Sequence, residues 1–407
     1  MVANDWMSLV LDLTKDGKGF TPPVAARAFG YIGLTLYQSV LPGMPEYKSM
    51  EGQVNGLDAG SLPQPDADEL YNWAIVANTA VATAVRACFS NASDEQKAAI
   101  DALESKWISA FPDTKQKVID RSVNFGKDLG SSMVVYAASD DQADCFNKNF
   151  PADYIAPTGE GLWVPTPPAY QTALQPYWKD VRPFITQNVG GALPIPPPTF
   201  SRDPNSAFWG ELVEVYDAVN NLTAEQMVIA EYWSDDPGLT ATPPGHSLSI
   251  LIQVLQQENA NLDFAAEAFA KLGMAVHDAF VSCWNAKFTY NLVRPITIIH
   301  EDIDPNFSIP LNTPPFPEYT SGHSVQSGAA AQVLTDLFGD NYAFVDHTHE
   351  ARTDIDGSAR SFTSFYDFAD EAAISRLYGG IHYRAAIEVG VSQGKIVGTN
   401  IGALDFK

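Results

Sequence analysis

The stretch DADELYNWAIVANTAVATAVRACF, residues 66–89, carries the pattern that decides the fold class of this 407-residue chain. Its apolar side chains recur every three or four residues, which places them along one face of an α-helix. They are Leu70, Trp73, Ala74, Ala77, Ala80, Val81 and Val85. We therefore predict that residues 66–89 form an amphipathic helix.

The same helical spacing recurs along most of the remaining chain. It predicts helices at residues 95–110, 114–138, 206–220, 223–234, 247–290, 321–338, 367–379 and 382–403. Candidate N-caps support several helix starts, namely Thr21 before Pro22 and Pro23, Ser93 with Gln96, and Thr223 with Gln226. The stretch 247–290 exceeds the usual length of a globular helix, so we expect two helices there. Alternating strand patterns are nearly absent, and we predict an all-α fold of helical bundles, two four-helix bundles packed together.

Proline interrupts the helical pattern between residues 151 and 205, where PTPPAY and PIPPPTF occur. Aromatic residues in this segment favour packing over the protein surface rather than a free linker. They are Trp163, Tyr170, Tyr177 and Trp178. We predict one all-α domain over residues 1–407. It has N-terminal helices in 1–150, a Pro-rich connecting segment in 151–205, and C-terminal helices in 206–407 that carry the functional site.

Composition and charge narrow the range of partners. Acidic residues outnumber basic residues 49 to 24, and a formal net charge of -25 repels nucleic acid and anionic membrane surfaces. No apolar run of about 18 residues is present, so we expect no membrane insertion. The three cysteines, Cys88, Cys145 and Cys283, are too few and too far apart to predict a disulfide framework. Because the net charge also repels small anions, any anion site needs a local cluster of lysine and arginine.

The first candidate site motif is WNAKFTYNLVRP, residues 284–295. Lys287 and Arg294 are separated by close to two helical turns, so both cations project to one side if the helix persists. Pro295 is then expected to end that helix. Taken alone, this motif is typical of a solvated basic edge.

The second motif is PPFPEYTSGHSVQSGAAAQVL, residues 314–334. Ser321, Gly322 and His323 open an apolar helix, with Thr320 as a candidate cap. A helix N-terminus offers unpaired backbone N–H groups, glycine lets an anion approach them, and serine adds a donor. The tripeptide fits oxyanion binding as well as it fits an ordinary helix cap with an exposed histidine.

The third motif is SRLYGGIHYRAAIEVG, residues 375–390. An unbroken helix would place Arg376 and His382 on different faces, whereas the break at Gly379 and Gly380 lets both reach one point. His382 is expected to start the next helix. A lone histidine in such a place is more often structural than catalytic.

Together the three motifs resemble the signature of the vanadium-dependent haloperoxidases and of the related type 2 phosphatidic-acid phosphatases and bacterial acid phosphatases. That signature is Lys-x6-Arg-Pro, then Ser-Gly-His, then Ser-Arg-x5-His, and it occurs here in this order in about the last third of the chain. Upstream, EYWSDDPG at 231–238 and TPPGH at 242–246 are also similar to bacterial haloperoxidase-like sequences. The motif spacing, with Trp284 and Phe316, most resembles that of bacterial vanadium iodoperoxidases.

The resemblance implies that vanadate is the cofactor and that basic and N-terminal donor groups hold it. The implied set comprises Lys287, Arg294, Ser321, Gly322, Arg376 and His382. His382 is implied as the axial ligand to the metal and His323 as the acid-base group. Lys287 is implied to hydrogen-bond to peroxide as well, and Trp284 and Phe316 to form the pocket wall.

The implied reaction is the oxidation of halide by hydrogen peroxide to hypohalous acid, without a change in the oxidation state of the metal. Iodide needs the least oxidising power and is the expected substrate, followed by bromide and then chloride. Phosphate shares the charge and geometry of vanadate and is expected to compete with it. The resemblance favours a periplasmic or secreted protein, although the first residues, MVANDWMSLV, lack the pattern of a signal peptide.

The sequence departs from the family pattern after the last histidine. Many relatives carry an aspartate four residues further on, where it can orient the imidazole. Here that position is Ala386, and Glu388 lies on another face of the helix. We expect His382 to be oriented by a backbone carbonyl or by another group. The departure weakens a phosphatase activity, whose nucleophile needs a fixed tautomer.

Two other functions stay open on the sequence. A soluble acid phosphatase would use His382 as the nucleophile and His323 as the general acid. A non-catalytic helical protein would bind the oxyanion without turnover. A lipid phosphatase is disfavoured, because those enzymes need membrane helices.

Three further polar stretches are weaker candidates for a site. The stretch VDHTHEARTD could bind a metal but is typical of a solvated turn, and its donor residues are His347, His349, Asp346 and Glu350. Asp235 and Asp236 could act as a carboxylate pair, but surface capping is expected. The stretch EDIDPN at 301–306 lacks the spacing of a calcium loop.

Overall fold

A computed structural model describes all 407 residues and shows an all-α protein, which confirms the predicted fold class. The α-helices are α1 Val2–Asp16, α2 Pro22–Val40, α3 Trp73–Cys88, α4 Asp94–Ser109, α5 Gln116–Ala138, α6 Gln187–Gly190, α7 Ala207–Asn220, α8 Ala224–Tyr232, α9 Thr242–Gln257, α10 Leu262–Tyr290, α11 Pro295–Asp302, α12 Gly322–Phe338, α13 Phe365–Tyr378 and α14 Arg384–Gly402. Short 3-10 turns lie at Leu41–Gly43, Cys145–Asn147 and Trp178–Asp180. None of these helices has the length and apolar character needed to cross a membrane.

The helix predicted at 66–89 is present but starts later, at Trp73. The side chain of Asn72 accepts hydrogen bonds from the N–H groups of Ala74 at 3.1 Å and Ile75 at 3.3 Å, and so caps the helix. Leu70, which the spacing placed on the apolar face, is 77% exposed. The capping residue therefore outweighs the apolar pattern in fixing this boundary.

The two predicted capping boxes are present. Ser93 and Thr223 each accept a hydrogen bond from the backbone N–H of the glutamine three residues further on, at 3.2 Å in both cases. Thr21 precedes α2 as predicted, but its hydroxyl bonds to the Gln175 side chain at 3.1 Å instead of capping the helix. Helix α1 has no capping side chain, which explains why no start signal indicated it.

Helix α10 is the longest helix, and several other helices pack against it. The stretch 247–290 divides between α9 and α10, as predicted, because Asn261 caps α10 through the N–H of Phe264 at 2.9 Å. Helix α2 packs closely on α10, since a Cβ on Gly33 would lie 2.4 Å from the carbonyl oxygen of Phe269. Helices α12 and α14 also pack against α10.

One hydrophobic core joins the first helices to the last. Its 86 buried residues include Trp6 of α1, Val85 of α3, Phe269 of α10 and Val397 of α14. Burial of apolar surface on this scale is the main favourable contribution to folding. A smaller apolar cluster of 14 residues packs α7 and α11 against α13 and α14.

The Pro-rich segment 151–205 packs over α10. The buried carboxylate of Asp278 on α10 accepts hydrogen bonds from the N–H groups of Phe184 at 2.7 Å and Ile185 at 2.9 Å. Trp178 of the same segment is buried in the main core. These contacts tie the segment to the helix that carries Lys287.

A small sheet, which the sequence did not indicate, follows α12. Strand β1, Phe344–Asp346, pairs antiparallel with strand β2, Arg360–Phe362, and Phe344 stands opposite Phe362. Strands of three residues are too short to show an alternating pattern. The hairpin folds β1 against α9.

Candidate functional site

A mostly apolar cavity of about 410 Å³ opens beside the N-terminus of α12. Most of the site residues predicted from the sequence line it, namely Trp284, Phe316, Gly322, His323, Arg376 and His382. The remaining ones, Lys287, Arg294 and Ser321, are fully buried. We call one set of these residues the cationic pocket; it comprises Lys287, Arg294, Ser321, Gly322, His323, Arg376 and His382.

Lys287 and Arg294 are held on either side of the turn between α10 and α11. Helix α10 ends at Tyr290 because Asn291 adopts the left-handed conformation, with φ 47° and ψ 36°. Arg294 therefore lies beyond the helix, and the expectation of one helix carrying both cations was wrong. Pro295 occupies the first position of α11, so it starts a helix instead of ending one.

Both cations are buried beside the ring of Phe316. The Nζ atom of Lys287 lies 4.8 Å from the ring centroid, and the Cζ atom of Arg294 lies 5.0 Å from it. Lys287 donates to the carbonyl oxygens of Pro317 and Glu318, each at 2.9 Å, which leaves one of its three N–H groups for a guest. Burial lowers the pKa of Lys287 to about 7 and the pKa of Arg294 to about 10.

The N-terminus of α12 faces the same space. Ser321 is its N-cap, and its hydroxyl oxygen accepts a hydrogen bond from the N–H of Ser324 at 3.3 Å. The N–H groups of Gly322 and His323 have no acceptor within the helix, as in the first turn of any α-helix. A Cβ on Gly322 would be in ordinary van der Waals contact with Phe280 and Trp284, at 3.9 Å. Gly322 itself lines the cavity, so a small anion in the cavity can approach its backbone.

His323 has an unpaired ring nitrogen. Its Nε2 atom is shielded from solvent and has no hydrogen-bond partner. Burial and the guanidinium of Arg376 hold the pKa of His323 well below its usual value. The imidazole is therefore neutral near pH 7, and one of its ring nitrogens can accept a proton.

Arg376 and His382 flank the glycine turn between α13 and α14. Gly380 has a φ of +73°, and a Cβ at this position would lie 2.5 Å from Ile309, so glycine is required. His382 lies two residues before Arg384, the first residue of α14, and the expectation that it starts a helix was wrong. The turn places both side chains at the wall of the cavity.

Glu318 takes the place of the aspartate that is missing at Ala386. Its Oε1 atom accepts hydrogen bonds from Nδ1 of His382 at 2.7 Å and from the N–H of Tyr383 at 2.9 Å. Nη1 of Arg294 lies 3.2 Å from the other ring nitrogen, Nε2. A proton on Nδ1 leaves a lone pair on Nε2, which is the nitrogen on the side of the buried cations.

The sequence interpretation missed Glu318, although it lies within the second motif. Its side chain is fully buried, and burial raises its pKa to about 8. An acidic residue flanked by aromatic residues and proline could have been recognised as a buried carboxyl group. Buried carboxyl groups are normally paired, so a partner could have been expected. The group that orients His382 is thus a carboxylate from 64 residues earlier in the chain.

The cationic pocket holds more buried positive charge than the protein neutralises. Lys287, Arg294 and Arg376 are at most 2% exposed. Beside Lys287 and Arg294, burial raises the pKa of Glu318 to about 8, which favours its neutral form near pH 7. The carboxylates near Arg376 are Asp236 and Asp235, and Asp235 is itself paired with two histidines. Buried cations without partners are costly, so the pocket favours an anionic guest. The donor set fits vanadate, with cations and N–H groups for its oxygen atoms and an imidazole nitrogen for its metal.

A second group of buried polar side chains adjoins the cavity, and we call it the carboxylate-histidine cluster. It comprises Asp235, His246, Asp346 and His349, each at most 2% exposed. Two expectations were therefore wrong, a surface cap at Asp235 and a solvated turn at Asp346 and His349, because the β1–β2 hairpin buries these groups against α9. His347 and Glu350 fit the solvated turn, since both are exposed and pair with each other at 2.9 Å.

Comparisons with known proteins agree with this geometry. The profile of a family described as "VCPO second helical-bundle domain" matches residues 267–306 and 302–404. The vanadium chloroperoxidase of Curvularia inaequalis is 26% identical over an alignment that covers 51% of this chain and 45% of that enzyme. The chain therefore matches less than half of the length of this curated relative.

Solved structures match over nearly the whole chain. A structure described as that of the first bacterial vanadium-dependent iodoperoxidase is 36% identical, with a TM-score of 0.89 over 98% of this chain and 95% of that chain. A bacterial vanadium-dependent chloroperoxidase in its apo form is 16% identical, with a TM-score of 0.73 over 95% of this chain and 93% of that one. The chloroperoxidase supports the fold alone, whereas the identity and coverage of the iodoperoxidase decide the family.

Proposed function

The chain belongs to the vanadium-dependent haloperoxidases, and on this premise we propose that it oxidises halide ions with hydrogen peroxide while holding vanadate in the cationic pocket. The observation that carries the proposal is the excess of buried positive charge beside the cavity wall that Gly322 and His382 form. When bound, vanadate supplies a Lewis-acidic centre that activates peroxide for attack by halide. Hydrogen peroxide, halide and one proton are converted to hypohalous acid and water.

We propose that three kinds of contact in the cationic pocket hold vanadate. The basic side chains neutralise the negative charge on the vanadate oxygens, and they are Lys287, Arg294 and Arg376. The Ser321 hydroxyl and the Gly322 N–H donate hydrogen bonds to the oxygens, since the Ser321 oxygen accepts a bond from Ser324 and keeps its own hydrogen to donate. His382 binds the metal through Nε2, and Glu318 holds the ring in that orientation from Nδ1.

His323 is proposed to move protons during turnover. Its unpaired Nε2 can accept a proton from hydrogen peroxide as the peroxide enters, and the imidazolium can return it to the oxygen that leaves as water. A bound anion opposes the effect of the Arg376 guanidinium and therefore raises the pKa of His323. Lys287 has one N–H group left to polarise the peroxide.

Trp284 and Phe316 are proposed to set the environment that halide meets. Both rings line the cavity, and their centroids lie 4.9 Å apart. Iodide is the most weakly hydrated of the three halides and needs the least oxidising power, so an apolar approach favours it. We propose that iodide is the preferred substrate, followed by bromide and then chloride.

The contact between Glu318 and His382 favours a second activity, the hydrolysis of phosphate esters in the absence of vanadate. A fixed Nδ1–H tautomer makes Nε2 a nucleophile, so the alanine at Ala386 no longer argues against phosphoryl transfer. Phosphate matches vanadate in charge and shape. We propose that it competes with vanadate for the cationic pocket.

Turnover with and without vanadate separates these activities. Full-length protein is dialysed free of bound anions, and one half is reconstituted with orthovanadate. The reconstituted half is expected to form triiodide from iodide and hydrogen peroxide, and the other half is not. The haloperoxidase proposal would be contradicted if the anion-free half hydrolysed p-nitrophenyl phosphate and the reconstituted half did not oxidise iodide. Vanadate binding without either activity would indicate a non-catalytic oxyanion-binding protein.

A further inference from the structure

The carboxylate-histidine cluster brings four donor groups together from three separate parts of the chain. Asp235 follows α8, His246 lies in α9, and Asp346 and His349 belong to the β1–β2 hairpin. All are almost completely buried. Asp235 reaches the wall of the cavity, but none of these side chains belongs to the cationic pocket.

Three of these groups converge with the chemistry and spacing of metal ligands. One carboxylate oxygen of Asp235, one ring nitrogen of His246 and one of His349 lie within 4.8 Å of one another. Oδ2 of Asp235 is 2.9 Å from Nδ1 of His246, and Oδ1 is 3.2 Å from Nε2 of His349. Both atoms of the second contact lack a properly directed hydrogen bond. Protein hydrogen bonding therefore leaves part of this buried donor set unsatisfied.

The fourth group stands behind His246, where it can orient the imidazole. Oδ2 of Asp346 lies 2.7 Å from Nε2 of His246 and accepts a hydrogen bond from the Tyr232 hydroxyl, also at 2.7 Å. A carboxylate that binds one ring nitrogen leaves the other nitrogen as a metal ligand, an arrangement common around zinc. The ring of Trp233 stacks on His246 with centroids 4.4 Å apart and limits access of water.

The charges of the cluster are balanced equally well by protons or by a metal. Two carboxylates and two neutral imidazoles carry two negative charges, which either two protons or one divalent cation neutralises. Nitrogen and oxygen donors at three positions suit a zinc-type ion, which takes four ligands and often keeps one position for water.

We propose that Asp235, His246 and His349 form a binding site for a zinc-type divalent metal ion, with Asp346 orienting His246. The ion links the loop after α8, the helix α9 and the β1–β2 hairpin. Asp235 lines the same cavity as His323 and Arg376, so the metal also fixes one wall of that cavity. This site is separate from the vanadate site and does not depend on the proposed haloperoxidase activity.

The test is metal binding by full-length, vanadate-free protein that has been treated with a chelator. Titration with zinc chloride, followed by dialysis and elemental analysis, is expected to give about one zinc ion per chain and a higher Tm. His349→Ala and Asp235→Asn are expected to lose the bound zinc. Asp346→Asn is expected to weaken zinc binding about 10- to 100-fold. His347→Ala is the matched control, because this exposed histidine lies in the same hairpin and should leave binding unchanged.

Cobalt binding keeps the proposal testable if a variant fails to fold. Wild-type protein and the His347→Ala control are expected to bind Co²⁺ with the intense visible absorption of a four-coordinate site, and zinc is expected to displace it. Wild-type protein that retains no zinc and shows no change in Tm would overturn the proposal. Retention of zinc by His349→Ala, or its loss from His347→Ala, would overturn it as well.

Discussion

The cationic pocket and the carboxylate-histidine cluster lie side by side and consist largely of buried polar groups, but only the cluster contains groups that balance one another. In the cluster, His246 lies between the carboxylates of Asp235 and Asp346, at 2.9 and 2.7 Å. In the pocket, Lys287 and Arg294 have mainly backbone carbonyl oxygens as hydrogen-bond acceptors. A carbonyl dipole does not cancel a full charge, so the pocket depends on a guest.

This difference shows how the sign of a ligand's charge can be inferred from the buried charges of the protein around its site. A site that the protein leaves positive selects an anion, and the net charge of -25 means that this selection comes from the local cations alone. A site that two protons can neutralise selects a dication in exchange for those protons. The two regions are therefore expected to respond differently when one charged group is removed.

The largest effect is expected from His382→Ala in the cationic pocket, because it removes the imidazole proposed to bind the metal. We expect iodide oxidation to fall about 10³-fold or more at saturating vanadate, in line with the loss of a preorganised group at a reacting centre. The initial rate of triiodide formation measures it. His347→Ala is the control, since this histidine is exposed and belongs to neither region. An unchanged rate in His382→Ala would place the reaction elsewhere.

The next largest effect is expected from breaking the cluster. His246→Leu leaves the carboxylates of Asp235 and Asp346 buried without an opposing charge. We expect the free energy of unfolding to fall by about 3–5 kcal/mol. Urea denaturation of chelator-treated protein measures it, with His347→Leu as the control. A loss below about 1 kcal/mol would show that the contacts of His246 do not balance these carboxylates.

Removing the carboxylate that orients His382 should have an intermediate effect. Glu318→Leu leaves Nδ1 of His382 and the N–H of Tyr383 without their acceptor. We expect vanadate affinity to fall about 10- to 100-fold. Equilibrium dialysis with orthovanadate measures the change. Glu388→Gln on α14 is the control, because its exposed side chain should leave the affinity unchanged. Equal affinities in Glu318→Leu and wild type would mean that Glu318 does not position the ring.

The pH dependence of vanadate binding tests whether Lys287 needs a bound anion to keep its positive charge. The pKa of Lys287 is lowered to about 7, and a bound anion raises it again by favouring the ammonium. Above pH 7 binding therefore takes up a proton, and affinity is expected to fall by up to about tenfold per pH unit. Loss of the proton from Glu318, whose pKa is about 8, adds to the fall above that pH.

The matching experiment compares wild type with Lys287→Arg by isothermal titration with orthovanadate. Arginine stays charged throughout this range, so the slope contributed by residue 287 should disappear in the variant. The titration of vanadate itself and of Glu318 affects both proteins alike. Identical slopes in the two proteins would contradict the assignment of this proton to Lys287.

Much of the fold could be predicted because helices carry local periodic signals. The capping boxes at Ser93 and Thr223 formed as predicted, since both partners lie within one turn. The start of α3 was predicted seven residues too early, because the Asn72 side chain caps the helix although the apolar pattern extends further upstream. The sheet was missed because three-residue strands show no period.

The site could be predicted only as far as its residues share short motifs. Arg376 and His382 are six residues apart, and the two glycines between them allowed the turn to be predicted. Glu318 contacts His382 across 64 residues, and Asp346 contacts His246 across 100. No local pattern links such partners, because their contact depends on how the hairpin packs on α9 and how the start of α12 packs against the start of α14.

The smallest effect is expected for the stability of the anion-free protein after one cation of the pocket is removed. Lys287→Met keeps the apolar stem but removes the charge and its hydrogen bonds to the carbonyl oxygens of Pro317 and Glu318. Relief of a buried charge and loss of those bonds oppose each other. We expect the free energy of unfolding to change by no more than about 1 kcal/mol, whereas vanadate affinity should fall about 10- to 100-fold.

Urea denaturation of Lys287→Met and His246→Leu therefore compares the cationic pocket directly with the carboxylate-histidine cluster, through the free energy of unfolding of each variant. Each variant deletes one buried group that can carry a positive charge, and each replaces it with an apolar side chain. The difference lies in what remains, backbone carbonyls around residue 287 and two carboxylates around residue 246. If Lys287→Met destabilised the anion-free protein as much as His246→Leu does, the pocket would already be neutralised by the protein, and its charge would give no reason to bind an anion.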